Sequence, residues 1–174
     1  MMKKTILLFV IALSLLFVSC GESERTARDD LSAQELAEMV EAAMSNRELL
    51  DDSSERYIKA RISKGVLSGS ATQYVFKTSL SRVCDEYGVI KSSSAEDASS
   101  ICEEINGSLD RRREEWDDRY YSEEKPKIFA AEARRFGNYV IYGVLAPSEL
   151  EAIFDIAEDT IYNKQTGDNK RQYE

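Results

Sequence analysis

Few residue types in this chain have the spacing to do chemistry, and they limit what it can be. Cys84 and Cys102 form an even pair of thiols, which in an oxidising compartment can close a disulfide or stay separate. The chain has no His. That absence removes Ser-His and Cys-His nucleophile activation and the His-rich zinc sites. Asp/Glu chemistry needs no His, but it requires two carboxylates converging in a pocket with their pKa values pushed apart. The run Asp110 to Arg119 (DRRREEWDDR) offers Arg111, Arg112 and Arg113 as an anion clasp. On a helix, however, Arg111 stands four residues from Glu115 and Arg113 four from Asp117, a spacing at which the charges satisfy each other on a solvated face. Arg112 differs because it falls on an apolar stripe between Leu109 and Trp116 and needs a partner if buried. Glu86, on a neighbouring strand, is the candidate. Trp116, Tyr120, Tyr121, Tyr139 and Tyr142 are the aromatic groups able to line a groove for a glycan or peptide, although their spacing puts several in the core. No catalytic residue, metal ligand set or cofactor motif emerges.

The third thiol, Cys20, stands at the end of a targeting segment. Lys3 and Lys4 give a positive start, and Thr5 to Val18 form an apolar run of roughly fourteen residues, short of the ~20 needed to span a bilayer. The run closes in Phe17-Val18-Ser19-Cys20-Gly21, which resembles the lipobox of bacterial lipoproteins, with Phe17 where Leu is usual. The resemblance implies that residues 1–19 are a signal peptide and that Cys20 carries a diacylglyceryl group, whose two acyl chains are of the palmitate type. Two chains, at ~0.8 kcal/mol per buried CH₂, hold a protein on a membrane where one does not. Ser122-Glu123-Glu124-Lys125 fits the S-x-x-K pattern of penicillin-recognising serine enzymes, and Lys77-Thr78-Ser79 is similar to their K-T-G element. The chain order is reversed and the domain is too small to build that site.

Beyond residue 19 about 155 residues remain, enough for one domain with a real core. Without Lys3 and Lys4, 21 basic residues face 32 acidic ones, a net charge of −11. Such a chain is repelled by nucleic acid and by anionic lipid head groups.

These groups must be positioned by elements that the patterning suggests. Residues 20–30 (CGESERTARDD) are polar and read as a flexible tether. Ser32-Ala33-Gln34-Glu35 is a capping box with Leu31 and Leu36 as its staple, opening a helix to about Asn46. Asp51 to Lys64 suggests a short helix with Tyr57, Ile58 and Ile62, followed by a Gly/Ser loop at 65–70. Tyr74 to Leu80 and Val83 to Val89 alternate as two strands of a hairpin. On that alternation Cys84 and Cys102 fall on opposite sides of the sheet, which argues for separate thiols. Ser93-Ser94-Ala95-Glu96 caps a long helix whose stripe runs from Ala98 to Tyr120, with Gly107 marking a bend or a close approach of backbone. Lys127 to Phe136 and Tyr139 to Leu145 flank Gly137-Asn138, a dipeptide suited to a type II′ turn, with Ala131 opposite Val144 and Ala133 opposite Tyr142. Pro147 and a Ser148-to-Glu151 capping box start a last helix with Leu150, Ile153, Phe154, Ala157 and Ile161 on one face. Residues 163–174 are a polar tail. The expected fold is α+β, order α-ββ-α-ββ-α: an antiparallel sheet of about four strands, in two hairpins, covered by amphipathic helices. Residues 31–162 form the single domain.

The run Asp85-Glu86-Tyr87-Gly88-Val89-Ile90-Lys91, the helix bearing Arg112 or Arg113 with Tyr120-Tyr121 beyond, and Phe136-Gly137-Asn138-Tyr139-Val140-Ile141-Tyr142 together resemble the bacterial lipoprotein family catalogued as domain of unknown function 4358. The likeness covers roughly Ala33 to Tyr162. It implies the same lipoprotein start and the same fold, and it carries no activity. The resulting expectation is a lipid-anchored module on the extracytoplasmic face of the cell membrane. It would need no cofactor and would act as a binding or accessory part of the cell envelope toward a protein or glycan partner. A small envelope hydrolase using Asp/Glu chemistry is the alternative.

Overall fold

The computed structural model describes residues 26–162 apart from 46, 82, 118 and 120. The signal segment, Cys20, Tyr120 and the tail 163–174 therefore lie outside the described residues.

The chain enters the domain through α1 (Ala33–Glu41). The Ser32 hydroxyl accepts the Glu35 amide at 3.1 Å while the Glu35 carboxylate accepts the Ser32 amide at 2.8 Å, a complete capping box. Leu31 and Leu36 are buried in one cluster, as a staple requires. The helix stops five residues short of Asn46. A 3-10 turn (Arg47–Leu49) then leads into a three-residue strand, β1 (Leu50–Asp52), which the pattern did not suggest, and into α2 (Glu55–Arg61), capped by Ser54. In place of an open Gly/Ser loop, residues Val66–Ser70 make one wide helical turn that ends on Gly69 at φ 103°.

β2 (Ala71–Ser79) and β3 (Glu86–Ser92) form the expected hairpin, but β3 starts at Glu86, three residues beyond Val83. The helix α3 (Ala95–Glu114) is capped by Ser94 with Asp97, one residue on from the Ser93 box, and ends at Glu114, so Trp116 leaves its stripe. It runs unbroken past Gly107, where an added Cβ would meet only Arg111 Nη1 at 3.8 Å; no backbone approaches there. Lys127 to Ala130, expected as strand, belong to a short helix, α4 (Lys125–Ala130), started by Pro126 in its first turn. The second hairpin is β4 (Glu132–Phe136) and β5 (Tyr139–Val144), with Ala133 opposite Tyr142 as the turn implied. Gly137 sits at φ 59° and Asn138 is not at positive φ, the pattern of a II′ rather than a I′ turn. In α5 (Pro147–Tyr162) the five expected residues are the buried ones. Ser148 lies inside that helix, and Glu151 pairs with Arg134 instead of closing a capping box.

The protein is α+β. Its antiparallel sheet has five strands in the order β1-β2-β3-β5-β4, one more than four because β1 adds to the outer edge of β2. Helices cover both faces, and alternation along β3 and β5 divides their side chains between two cores. Tyr87, Val89, Tyr139 and Ile141 pack with α1 and α5. Ile90, Val140, Tyr142 and Val144 pack with α2, α3 and α4. At the β4 edge the Asn106 amide pairs with both the N–H and the C=O of Ala133, each at 2.9 Å, so α3 takes the place of a further strand. Residues 26–30, expected to be free tether, lie against the domain: the Arg28 amide donates to the Ile161 carbonyl at 3.0 Å and Ala27 packs beside Gly137. Among the described residues no helix is long and apolar enough to cross a membrane.

Two glycines discriminate packing from propensity. A Cβ on Gly88 would lie 2.4–2.6 Å from the Tyr142 and Phe76 rings. Gly88→Ala is expected to lose about 1–3 kcal/mol through overpacking. Gly107→Ala, in open space within a helix, should gain up to about 1 kcal/mol. Urea unfolding of the two variants would show shifts of opposite sign.

Candidate functional site

The site is built around the start of β3, where Asp85, Glu86 and Tyr87 are three consecutive buried residues with polar ends. Each is met from a different direction. Glu86, 1% exposed, points to the α3 side, where Arg112 Nη1 donates to its Oε1 and the Tyr57 hydroxyl donates to its Oε2 at 2.5 Å. Tyr87 points to the opposite face and donates to the Glu41 carboxylate, which pairs in turn with Lys77 at 2.5 Å. Asp85 pairs with Lys127 at 2.7 Å. Lys127 also holds Glu124 at 3.0 Å, and Glu124 accepts the Cys84 amide at 2.8 Å, so α4 is tied to the segment before β3.

The local sequence explains this placement. Ser54 starts α2 so that Tyr57 and Arg61, four apart, share the face turned toward Glu86. Arg112 stands one turn beyond Leu109 on the buried side of α3. Its neighbours do not form the pairs that i,i+4 spacing suggests. Arg113 reaches Asp110 and the carbonyls of Ile128 and Ala131 at the end of α4, and Asp117 pairs with Arg119 at 2.6 Å. A helix interior is needed for i,i+4 contact, and α3 ends before Glu115.

Above Glu86 and Arg112 opens a cavity of about 520 Å³. Tyr57 and Arg61 of α2, Thr78 and Ser79 of β2, and Val83 and Cys84 of the hairpin loop form one side. Glu115, Trp116 and Asp117, which follow α3, form the other with Tyr121 and Ile128. The Trp116 Nε1 is buried with no acceptor among the described residues, and the Tyr142 hydroxyl, beneath Glu86, is likewise unpartnered.

Glu86, Arg112, Trp116 and Tyr121 are thus brought together. Tyr139 is not with them: it is fully buried on the other face and its hydroxyl donates to the Leu31 carbonyl at 2.8 Å, which makes it a core residue and corrects its placement in a groove. Tyr120 and Cys20 lie outside the described residues. Tyr57 and Arg61 were missed because an i,i+4 pair on a short helix is too common to signal a site. Cys84 and Cys102 both pack on the α3 side, not on opposite sides of the sheet, and both are free thiols. Burial pushes each thiol up, in Cys84 with help from Glu124, so neither is a ready thiolate. No group of three His, Cys, Asp or Glu residues that could hold a metal occurs among the described residues.

Electrostatically the floor is a closed pair. Burial opposes the Arg112 charge, but Glu86 outweighs it and the guanidinium is held above its ordinary range. Burial, then the Glu86 charge, push the Tyr57 phenol up to about 12, and burial raises those of Tyr87 and Tyr142. Arg119 holds Asp117 below the usual carboxylate range. Both Glu86 oxygens are engaged and Asp117 is kept as an anion. Comparison of the chain with protein-family models, with curated proteins and with solved structures found no match.

Breaking the pair should expose its role. Arg112→Met is expected to cost about 3–5 kcal/mol by leaving a buried carboxylate uncompensated, and Arg112→Met with Glu86→Leu should cost less than that single change. Denaturant unfolding of the single and double variants measures both.

The phenols set an alkaline limit. A proton held to about 12 in the folded chain but lost near 10 in the unfolded one stabilises fully below pH 10, and that contribution disappears between 10 and 12. Unfolding midpoints should therefore fall across that window, with Tyr57→Phe showing a shallower fall.

Proposed function

We propose that the chain is an exported bacterial lipoprotein, anchored through a diacylglyceryl group on Cys20 to the extracytoplasmic face of the cell membrane. Its α+β domain serves as a binding or accessory module of the cell envelope. The likeness to the lipoprotein family catalogued as domain of unknown function 4358 belongs to this reading. One observation carries the binding role: the cavity joins Trp116, Tyr121 and Tyr57 to polar groups that still have donors to offer, over a floor whose own charges are neutralised.

The position of the tether supports it. Residues 26–31 lie at the end of the sheet where β3 finishes: Lys91 donates to the Asp29 and Leu31 carbonyls, and the turn at Gly137 packs on Ala27. The cavity lies at the other end of β3. The helix α3, 20 residues and ~30 Å long, starts beside that turn and ends at the cavity. Five residues lie between Cys20 and Thr26, and the six residue steps reach at most ~20 Å. A lipid on Cys20 would hold one pole of the domain near the membrane and leave the cavity facing away, toward proteins or glycans of the envelope and not toward lipid.

Cys20→Ser should abolish labelling by radioactive palmitate and move the chain from the membrane to the soluble fraction, whereas Arg61→Gln should leave both unchanged. Palmitate label retained on Cys20→Ser would sink the anchoring site.

A further inference from the structure

We infer that the cavity binds a carboxylate, that of the free C-terminal end of an extracytoplasmic peptide; this rests on the reading of the cavity as the recognition site. The argument starts from which hydrogen-bonding capacity is spent. Both oxygens of Glu86 are taken, by Arg112 and Tyr57. Asp117 is paired with Arg119, and the Ser79 hydroxyl bonds that of Ser81 at 2.7 Å. Glu115, exposed at the rim, is the carboxylate left over.

Donors are in surplus. The Arg61 guanidinium has no side-chain partner among the described residues, and it is the α2 backbone carbonyl at this position that holds the Ser108 hydroxyl, at 2.7 Å. Arg112 gives Glu86 one of its five N–H groups. Trp116 Nε1, a donor only, is buried against the cavity without an acceptor. A buried donor left unsatisfied is costly, so a ligand that supplies acceptors is favoured. Two guanidinium groups and an indole N–H match a planar group with two oxygens, because a guanidinium fork meets a carboxylate in two parallel bonds. Arg112 is neutralised by Glu86 and Asp117 by Arg119, so among the described residues the lining charges left without a side-chain partner are the Arg61 cation and, at the rim, the Glu115 anion.

The walls select what bears the carboxylate. Val83, Ile128 and Trp116 are apolar, and Leu80, 77% exposed on the hairpin loop, stands with Tyr121 among the exposed apolar side chains at this pole. These surfaces suit the aliphatic side chain of a terminal residue better than the hydroxyl-rich ring of a sugar acid.

Trp116 is the single Trp of the chain, so its fluorescence reads the cavity directly. The full chain, purified in detergent, is titrated with acetyl-Leu-Ala-Ala bearing a free carboxylate, with the same peptide as its C-terminal amide, and with galacturonic acid. The free acid is expected to shift the Trp116 emission saturably and to bind at least 10-fold more tightly than the amide. Arg61→Gln should weaken it at least 10-fold with the urea midpoint unchanged. Equal binding of acid and amide, or binding of galacturonic acid in preference to the peptide, would overturn the peptide-carboxylate assignment and leave the cavity as a recognition site. No emission change with any of the three would overturn both.

Discussion

A carboxylate at 1% exposure in a central strand is the constraint around which this domain is arranged. Glu86, a carboxylate in that position, needs partners, because taking an unpaired charge out of water costs several kcal/mol even after relaxation. Its partners come from two helices, Arg112 from α3 and Tyr57 from α2, so meeting the electrostatic demand also fixes where both helices lie against β3. An apolar residue at this position would have packed as tightly without specifying that arrangement.

The residues on either side extend the same logic across the sheet. Asp85 reaches Lys127 of α4 and Tyr87 reaches Glu41 of α1 through the opposite face. Three adjacent residues therefore bind the strand to four helices in two layers. Gly88 comes next because the Phe76 and Tyr142 rings, 5.8 Å apart, meet over its missing side chain. The buried polar run sets the position of the strand, and the aromatic contact over Gly88 fills the space beside it. The cavity follows from this: α3 ends at Glu114, and the chain that returns through Trp116 and Tyr121 leaves room between itself and α2.

Much of the frame was legible because it depends on local rules. The buried stripe of α5, the capping box before α1 and the positive φ at Gly137 are each set within a few residues. Arg112 was legible as a charge that breaks an apolar stripe, and Glu86 as its partner from the neighbouring strand. The failures have a common cause in tertiary context. β1 is Leu50–Asp52, three residues with no alternation, and it exists because β2 offers a free edge to pair with. Residues 127–130 run into the β4 segment and so look like its first half, yet Pro126 starts a helix whose final carbonyls are taken by Arg113 from another element. Trp116 kept helical spacing with Leu109 although the helix had ended. Tyr57 and Arg61 gave no local sign of a site, since only the fold brings α2 over Glu86.

Charge distribution links that site to the expected address of the protein. The chain carries a net charge of −9, so its surface repels an anionic bilayer and also an anionic ligand at long range. A carboxylate is then admitted by short-range geometry alone: the bulk field opposes it and is screened beyond about 8–10 Å at ordinary ionic strength, while the guanidinium and indole donors act within hydrogen-bond reach. The same field works in favour of the orientation proposed for the domain. With Cys20 lipidated as proposed, repulsion from the membrane surface would push the acidic body outward, and residues 26–31, pinned at the pole opposite the cavity, would turn that outward push into exposure of the site.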